Sequence, residues 1–231
     1  MSENFFAEFE SETTYSPERA REYHRRGFWG EIALVDYLDL HAEERGEATA
    51  VVGDDDAVTW AELRAGAAEI AAGLADLGLE KGTPVAFQVP AGVEWMELRL
   101  GISLAGGISV PVYPRFGRQE IEHVVETVEP MAYVVDPAAG DGVVDDVIEV
   151  REDVAALGEV VTAGGTADDA RSLASLRGNS EGFSPTRIDP DYPDVLALSS
   201  GTTGLPKIYY VVQNTYLSTG KDVAGRCSVT E

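Results

Sequence analysis

Short apolar runs alternate along most of the chain with longer stretches in which apolar residues recur every three or four positions. The clearest of the longer stretches is "TWAELRAGAAEIAAGLADLG", where Leu63, Ala67, Ile70, Leu74 and Leu77 keep a 3.6-residue period and predict a helix. Thr59 and Glu62 predict a capping box at its start, because each side chain can bond a backbone N–H that lacks an intrahelical partner. Gly78 predicts its stop. Further on, "PVAFQVP", "ISVPVYP", "MAYVVDP" and "GEVVTA" read as strands. Helical patterns separate them: "VEWMELRLGISLAGG", "RQEIEHVVETVE" with Ile121, Val124, Val125 and Val128 inward, and a weaker one over about 141–156. Strands that are apolar throughout are buried on both faces. Strand–helix–strand repetition implies a parallel sheet. The predicted fold class is α/β, a mostly parallel sheet wrapped by helices.

The flanks are less regular. Residues 1–15 read as a polar, poorly ordered lead. Ser16 before Pro17 is a cap and first helical position. "LVDYLDLHAEER" places Leu34, Tyr37, Leu38 and His41 on one helical face, and "ATAVVG" and "AVT" are short strands around an Asp54-Asp55-Asp56 turn. Residues 163–190, rich in Gly, Ser, Asp and Pro, read as a surface loop or linker. "DVLALSS" is then a strand, "IYYVV" another, and "QNTYLSTGKDVAGR" the start of a helix. There is no internal repeat.

Charge changes the picture more than composition does. The 231 residues can bury a real core, but they carry 17 basic against 41 acidic side chains, a net charge of −24. Such a surface repels nucleic acid and anionic lipid, so neither is an expected partner. Lysines are only Lys81, Lys207 and Lys221, so 17 − 3 = 14 of the basic residues are arginines. Acid excess with few lysines predicts a halophilic protein. Near 1 M salt the screening length falls to about 3 Å, and carboxylate repulsion is damped. The acidic start "MSENFFAEFESE" has neither a basic nor an apolar signal region, no uncharged apolar run reaches transmembrane length, and Cys227 stands alone. The expected location is cytoplasmic.

Candidate chemistry concentrates in "ALSSGTTGLPK", Ala197–Lys207. A strand running into a Gly- and hydroxyl-rich turn builds an anion site. Glycines let backbone N–H groups approach a phosphate, and successive N–H groups form a concave nest. Ser199, Ser200, Thr202 and Thr203 add hydroxyl donors, and Lys207 adds a full charge suited to the outer phosphates of a nucleotide. The order Gly201-x-x-Gly204-x-x-Lys207 is not the G-x-x-x-x-G-K-[ST] of a Walker loop. It is not the G-x-G-x-x-G of a dinucleotide fold either.

"SSGTTGLPK" resembles, at every position, the phosphate-binding signature [ST]-[SG]-G-[ST]-T-G-x-P-K of the adenylate-forming superfamily: acyl-CoA synthetases, aryl-acid–AMP ligases, nonribosomal peptide adenylation domains and luciferases. The stretch from Thr59 to Pro114 is similar to the family's T-Y-x-E-L…G-x-x-x-G-D-x-V…P-N pattern. "EYHRRGFWGEIALVDYL" and "RQEIEHVVETVEPMAYVVD" resemble 2,3-dihydroxybenzoate–AMP ligases and related aryl-acid activators. The resemblance implies that 16–231 is the N-terminal part of the large AMP-binding domain. It implies ATP with Mg2+, a carboxylic acid, and CoA or a carrier protein as acyl acceptor. In the implied reaction the carboxylate attacks the α-phosphorus of ATP to give an acyl-adenylate and pyrophosphate, and a thiol then takes the acyl group. Ser199, Ser200, Gly201, Thr202, Thr203 and Gly204 would cradle the β- and γ-phosphates. Lys207 would stabilise the leaving pyrophosphate electrostatically.

Two departures qualify that expectation. Where the family usually has Thr-His at the end of the following strand, here stand Val212-Gln213, and the resemblance places that histidine near the substrate end of the site. The chain also stops at Glu231. The acyl pocket, the Y-G-x-T-E motif, the ribose-binding Asp and the small C-terminal lid domain with its catalytic lysine are therefore expected to be missing. No residue present takes a catalytic role and none is assigned to a metal. The expected identity is an incomplete ligase. The alternative is a non-catalytic nucleotide-binding or split-enzyme module, completed by a second polypeptide. The other candidates read as structural. His24, His41 and His123 are surface or helix-face residues away from the loop. Lys221 and the Asp pairs 145–146 and 168–169 are solvated charges, and Trp29, Trp60 and Trp95 are core anchors.

Overall fold

A computed structural model describes residues 16–54, 56–165, 167, 169–199 and 204–227. The lead at 1–15 lies outside these. Helix α1 (Pro17–Arg25) starts as its sequence dictates: Ser16 Oγ accepts the Arg19 N–H at 3.3 Å, and Pro17, which has no N–H to satisfy, follows it. In α2 (Leu34–Arg45) the Asp36 carboxylate accepts the Ala33 N–H at 2.8 Å. Its buried stripe is Val35 and Leu38, rotated from the expected face. His41 instead packs on the Trp60 ring, 4.6 Å between centroids. Strands β1 (Thr49–Val52) and β2 (Ala57–Thr59) pair antiparallel as a separate hairpin. Helix α3 (Trp60–Asp76) forms the expected capping box: the Glu62 N–H donates to Thr59 Oγ1 and the Glu62 carboxylate accepts the Thr59 N–H.

The alternating pattern that follows becomes one seven-stranded sheet. In chain order it runs β3 (Pro84–Gln88), α4 (Val93–Ala105), β4 (Ile108–Pro111), α5 (Arg118–Val128), β5 (Ala132–Val135), α6 (Val143–Asp153), β6 (Glu159–Thr162), β7 (Arg171–Ser172), α7 (Leu173–Leu176), β8 (Pro193–Ser199), β9 (Lys207–Val212) and α8 (Gln213–Arg226). The spatial order is β7-β6-β5-β3-β4-β8-β9. All neighbours are parallel except β8 and β9, which are antiparallel.

Side chains alternate across the sheet and are covered on both faces. Val85, Phe87, Val134 and Val161 pack in one core with Leu63, Ile70, Leu98 and Ile102 of α3 and α4. Ala86, Tyr133, Val135, Val160, Leu196 and Leu198 pack in the other with Ile121, Val124, Val125, Val147 and Val150 of α5 and α6. Each fully buried side chain of this size contributes about 1.5–3 kcal/mol of transfer free energy.

Residues 163–190 differ from the expected surface loop. They contain β7, which extends the sheet beside β6, and the single turn α7. Leu173, Leu176 and Ile188 are buried. Their apolar residues are too sparse to show a period, yet the segment packs against α3 so closely that a Cβ on Gly73 would lie 1.6 Å from the Leu176 carbonyl oxygen.

Candidate phosphate-binding site

Parallel α/β sheets bind ligands at the C-terminal ends of their strands, where the connecting loops gather. The signature loop sits at that edge. Ser199 and Lys207 are the last register pair of β8 and β9, so the loop is the hairpin connection over 200–206. The Ser199 hydroxyl donates to the Lys207 carbonyl at 3.4 Å and closes the base of the hairpin. Ser200, Gly201, Thr202 and Thr203 lie outside the described residues. Gly204 and Lys207 are exposed, and a Cβ on Gly204 would meet nothing within 4 Å. Among the described residues no carboxylate pairs with the Lys207 ammonium. A lysine with no carboxylate partner among the described residues, close to the open Gly204 in a chain of net charge −24, is chemically suited to an anion.

Residues distant in sequence converge beneath this hairpin. Gln88, at the end of β3, is completely buried. Its Nε2 lies 3.0, 3.1 and 2.8 Å from the carbonyls of Tyr113, Pro114 and Phe116, and its Oε1 accepts the Tyr133 hydroxyl at 2.9 Å. Burial holds the Tyr133 phenol well above its ordinary pKa, so it stays a neutral donor. Gln88 thereby fixes the turn after β4, and that turn reaches the hairpin: the Tyr113 hydroxyl donates to the Leu198 carbonyl at 3.2 Å. His123 Nε2 lies 3.0 Å from the Pro206 carbonyl. The expectation that no histidine lies near the loop is therefore corrected. Helix α5, 83 residues upstream, carries His123 to it through the packing of the second core, which no sequence period reveals.

Gln213 lies beyond the other end of β9. Strand β9 carries the chain about 20 Å, at ~3.3 Å per residue, from Lys207 to the far end of the sheet. There Gln213 is buried and its Oε1 accepts the Leu34 N–H at 2.8 Å. Asn214 clasps Gly30 through both backbone groups at 3.0 Å and donates to Asp191 at 2.7 Å. These side chains fasten the segment before α2 and stand away from the loop. Lys221 is exposed, 5.6 Å from the Tyr37 ring centroid.

Strand β8, which delivers the loop, is anchored at its other end by charges the sequence reading overlooked. Asp194 is fully buried. Its Oδ2 accepts from Arg99 at 2.7 Å, Tyr216 Oη at 2.9 Å and Ser103 Oγ at 3.1 Å. Burial opposes the Arg99 charge, but Asp194 and Tyr216 outweigh it and the pKa is raised. Burial likewise pushes the Tyr216 phenol far up. A lone arginine in the otherwise apolar "RLGISLA" was the available signal.

The family model described as AMP-binding enzyme matches residues 38–228. The chain belongs to this AMP-binding enzyme family. A salicylyl-CoA synthase / salicylate adenylyltransferase from Streptomyces sp is 32% identical over 223 residues, covering 92% of this chain and 40% of the relative. The 2,3-dihydroxybenzoate-AMP ligase of Bacillus subtilis (strain 168) is 25% identical over 206 residues, covering 89% and 38%. The apo structure of Mycobacterium smegmatis MbtA superposes with a TM-score of 0.85 at 29% identity, covering 95% of this chain and 41% of that one. The chain thus spans about two fifths of the length of these proteins. Among the described residues no group of three or more His, Cys, Asp or Glu is placed to hold a metal ion, and no helix is long and apolar enough to cross a membrane.

Proposed function

We propose that this chain provides the phosphate-holding part of an ATP-dependent ligase that activates an aryl or acyl carboxylic acid through an acyl-adenylate. The observation that carries the reading is the β8–β9 hairpin, with Lys207, which pairs with no carboxylate among the described residues, at its base on the C-terminal edge of the sheet. Ser199, Ser200, Gly201, Thr202, Thr203 and Gly204 would line the β- and γ-phosphates, and Lys207 would offset the charge that grows on pyrophosphate as it leaves. One such electrostatic contact is worth about 3–4 kcal/mol of barrier. Mg2+ would arrive with the nucleotide and would neutralise phosphate charge. The salicylate- and dihydroxybenzoate-activating relatives favour an aryl acid, with CoA or a carrier protein as acceptor.

The remaining substrate contacts would fall in the part of the relatives' length that this chain does not span, in the same or a second polypeptide. A non-catalytic nucleotide-binding module is the competing reading. The net charge of −24 supports a halophilic, cytoplasmic setting. The test is ATP–pyrophosphate exchange driven by salicylate, 2,3-dihydroxybenzoate and a medium-chain fatty acid. The 231-residue chain alone is expected to give no exchange, and a polypeptide extended to the relatives' length is expected to give it with one acid class. Exchange by neither, with ATP still bound, favours the binding module.

A further inference from the structure

We propose that His123 is a positioning residue for the phosphate loop, acting with Tyr113 to brace both ends of the β8–β9 connection against the segment that runs from β4 into α5. The inference rests on reading 200–206 as a phosphate site.

The two contacts flank the loop. Tyr113 Oη donates to the carbonyl of Leu198, one residue before the base of the hairpin. His123 Nε2 lies 3.0 Å from the carbonyl of Pro206, one residue before Lys207. A carbonyl only accepts, so Nε2 carries the proton. The Pro206–Lys207 peptide is planar. Holding the Pro206 carbonyl therefore fixes the plane in which Lys207 N and Cα lie, the base from which its side chain departs. Pro206 has no N–H and a locked φ, and it is buried. Its carbonyl is the group through which that end of the turn can be aimed.

The brace is itself rigid. Gln88 holds the 113–116 turn from below. Ile121, Val124 and Val125 seat α5 in the core on either side of His123. Fixing Pro206 and the backbone of Lys207 in the free protein lowers the ordering that phosphate binding must impose on that cation. His123 does not touch the phosphate in this account. It acts through Pro206.

The experiment measures binding of inorganic tripolyphosphate and of ATP by titration calorimetry at one fixed salt concentration. The proteins are the unmodified chain, His123→Phe, His123→Gln, Tyr113→Phe and Lys207→Ala. Glutamine can present its Nε2 donor near the position of the histidine Nε2, whereas phenylalanine keeps the ring without the donor. Loss of one neutral hydrogen bond predicts about fivefold weaker binding for His123→Phe and a similar loss for Tyr113→Phe, with His123→Gln within about twofold of the unmodified chain. Tripolyphosphate should also shift the ring 15N resonances of His123 and leave those of His41 in place.

Equal affinities for the unmodified chain and His123→Phe, with Lys207→Ala weaker, overturn the brace and leave the phosphate reading standing. Failure of the unmodified chain to bind overturns both. If His123→Phe does not fold, Tyr113→Phe and the 15N shifts decide. An unchanged Tyr113→Phe affinity with unmoved His123 resonances overturns the proposal.

Discussion

Replacing Asp194 removes the point on which three elements, β8, α4 and α8, meet. Its Oδ2 alone accepts from Arg99, Ser103 and Tyr216, and Oδ1 has no hydrogen-bond partner among the described residues. Asp194→Ala leaves the Arg99 guanidinium, itself buried, without a counter-charge. Breaking a buried pair by removing one partner costs about 3–5 kcal/mol, a large share of the roughly 5–15 kcal/mol that holds a domain together. For a chain of this size each kcal/mol moves Tm by about 2–4 °C. The expected fall is therefore about 6–20 °C, read by circular dichroism at constant salt.

Two further variants locate the cause. Asp194→Asn keeps an acceptor where Oδ2 lies and should cost less than Asp194→Ala. The paired change Arg99→Met with Asp194→Leu should recover most of the loss, because a packed apolar pair replaces a buried ion pair at little cost. A fall of under 1 kcal/mol for Asp194→Ala, or a double variant no better than the single one, would refute the reasoning.

Three other outcomes are expected. Gly73→Ala should destabilise by about 1–3 kcal/mol in urea unfolding, because its Cβ would meet the Leu176 carbonyl oxygen at 1.6 Å and push α7 off α3; an unchanged midpoint would show that this segment is not packed. Glu94 is held above the ordinary carboxylate pKa of 4.5, first by burial, then by Asp136. The folded state thus binds the proton more tightly than the unfolded one, and this stabilisation, complete below about pH 4.5, is lost as pH rises through the folded pKa. Glu94→Gln should accordingly raise Tm at pH 7 and converge with the unmodified chain near pH 4, and equal Tm values at pH 7 would contradict that assignment. Finally, Tm should rise from dilute buffer to molar KCl, as screening relieves the repulsion of a −24 chain; a flat profile removes the halophilic reading.

What the sequence disclosed followed from where the information lay. The helix at Trp60–Asp76 and its cap were legible because period, cap and stop are all local. The parallel strands were legible because burial on both faces removes polar residues from them. The loop was legible as a chemical pattern before any geometry. The contacts that position it were not. His123 to Pro206 and Tyr113 to Leu198 join residues 83 and 85 positions apart, and neither side chain breaks its local pattern. Residues 163–190 looked like a linker because a two-residue strand and a single helical turn are too short to show a period. The bonds from Gln213 to Leu34 and from Asn214 to Gly30 were hidden by distance along the chain, since each joins residues about 180 positions apart.

The most direct test is to titrate ATP into the unmodified chain and into Lys207→Ala under identical salt and Mg2+. A lysine gripping the outer phosphates should make the unmodified chain bind at least about tenfold more tightly, the scale of one charged hydrogen bond. ADP should lose part of that difference and AMP nearly all of it. Equal affinities for the two proteins, or an affinity indifferent to the number of phosphates, would contradict the claim that the β8–β9 loop is a triphosphate site.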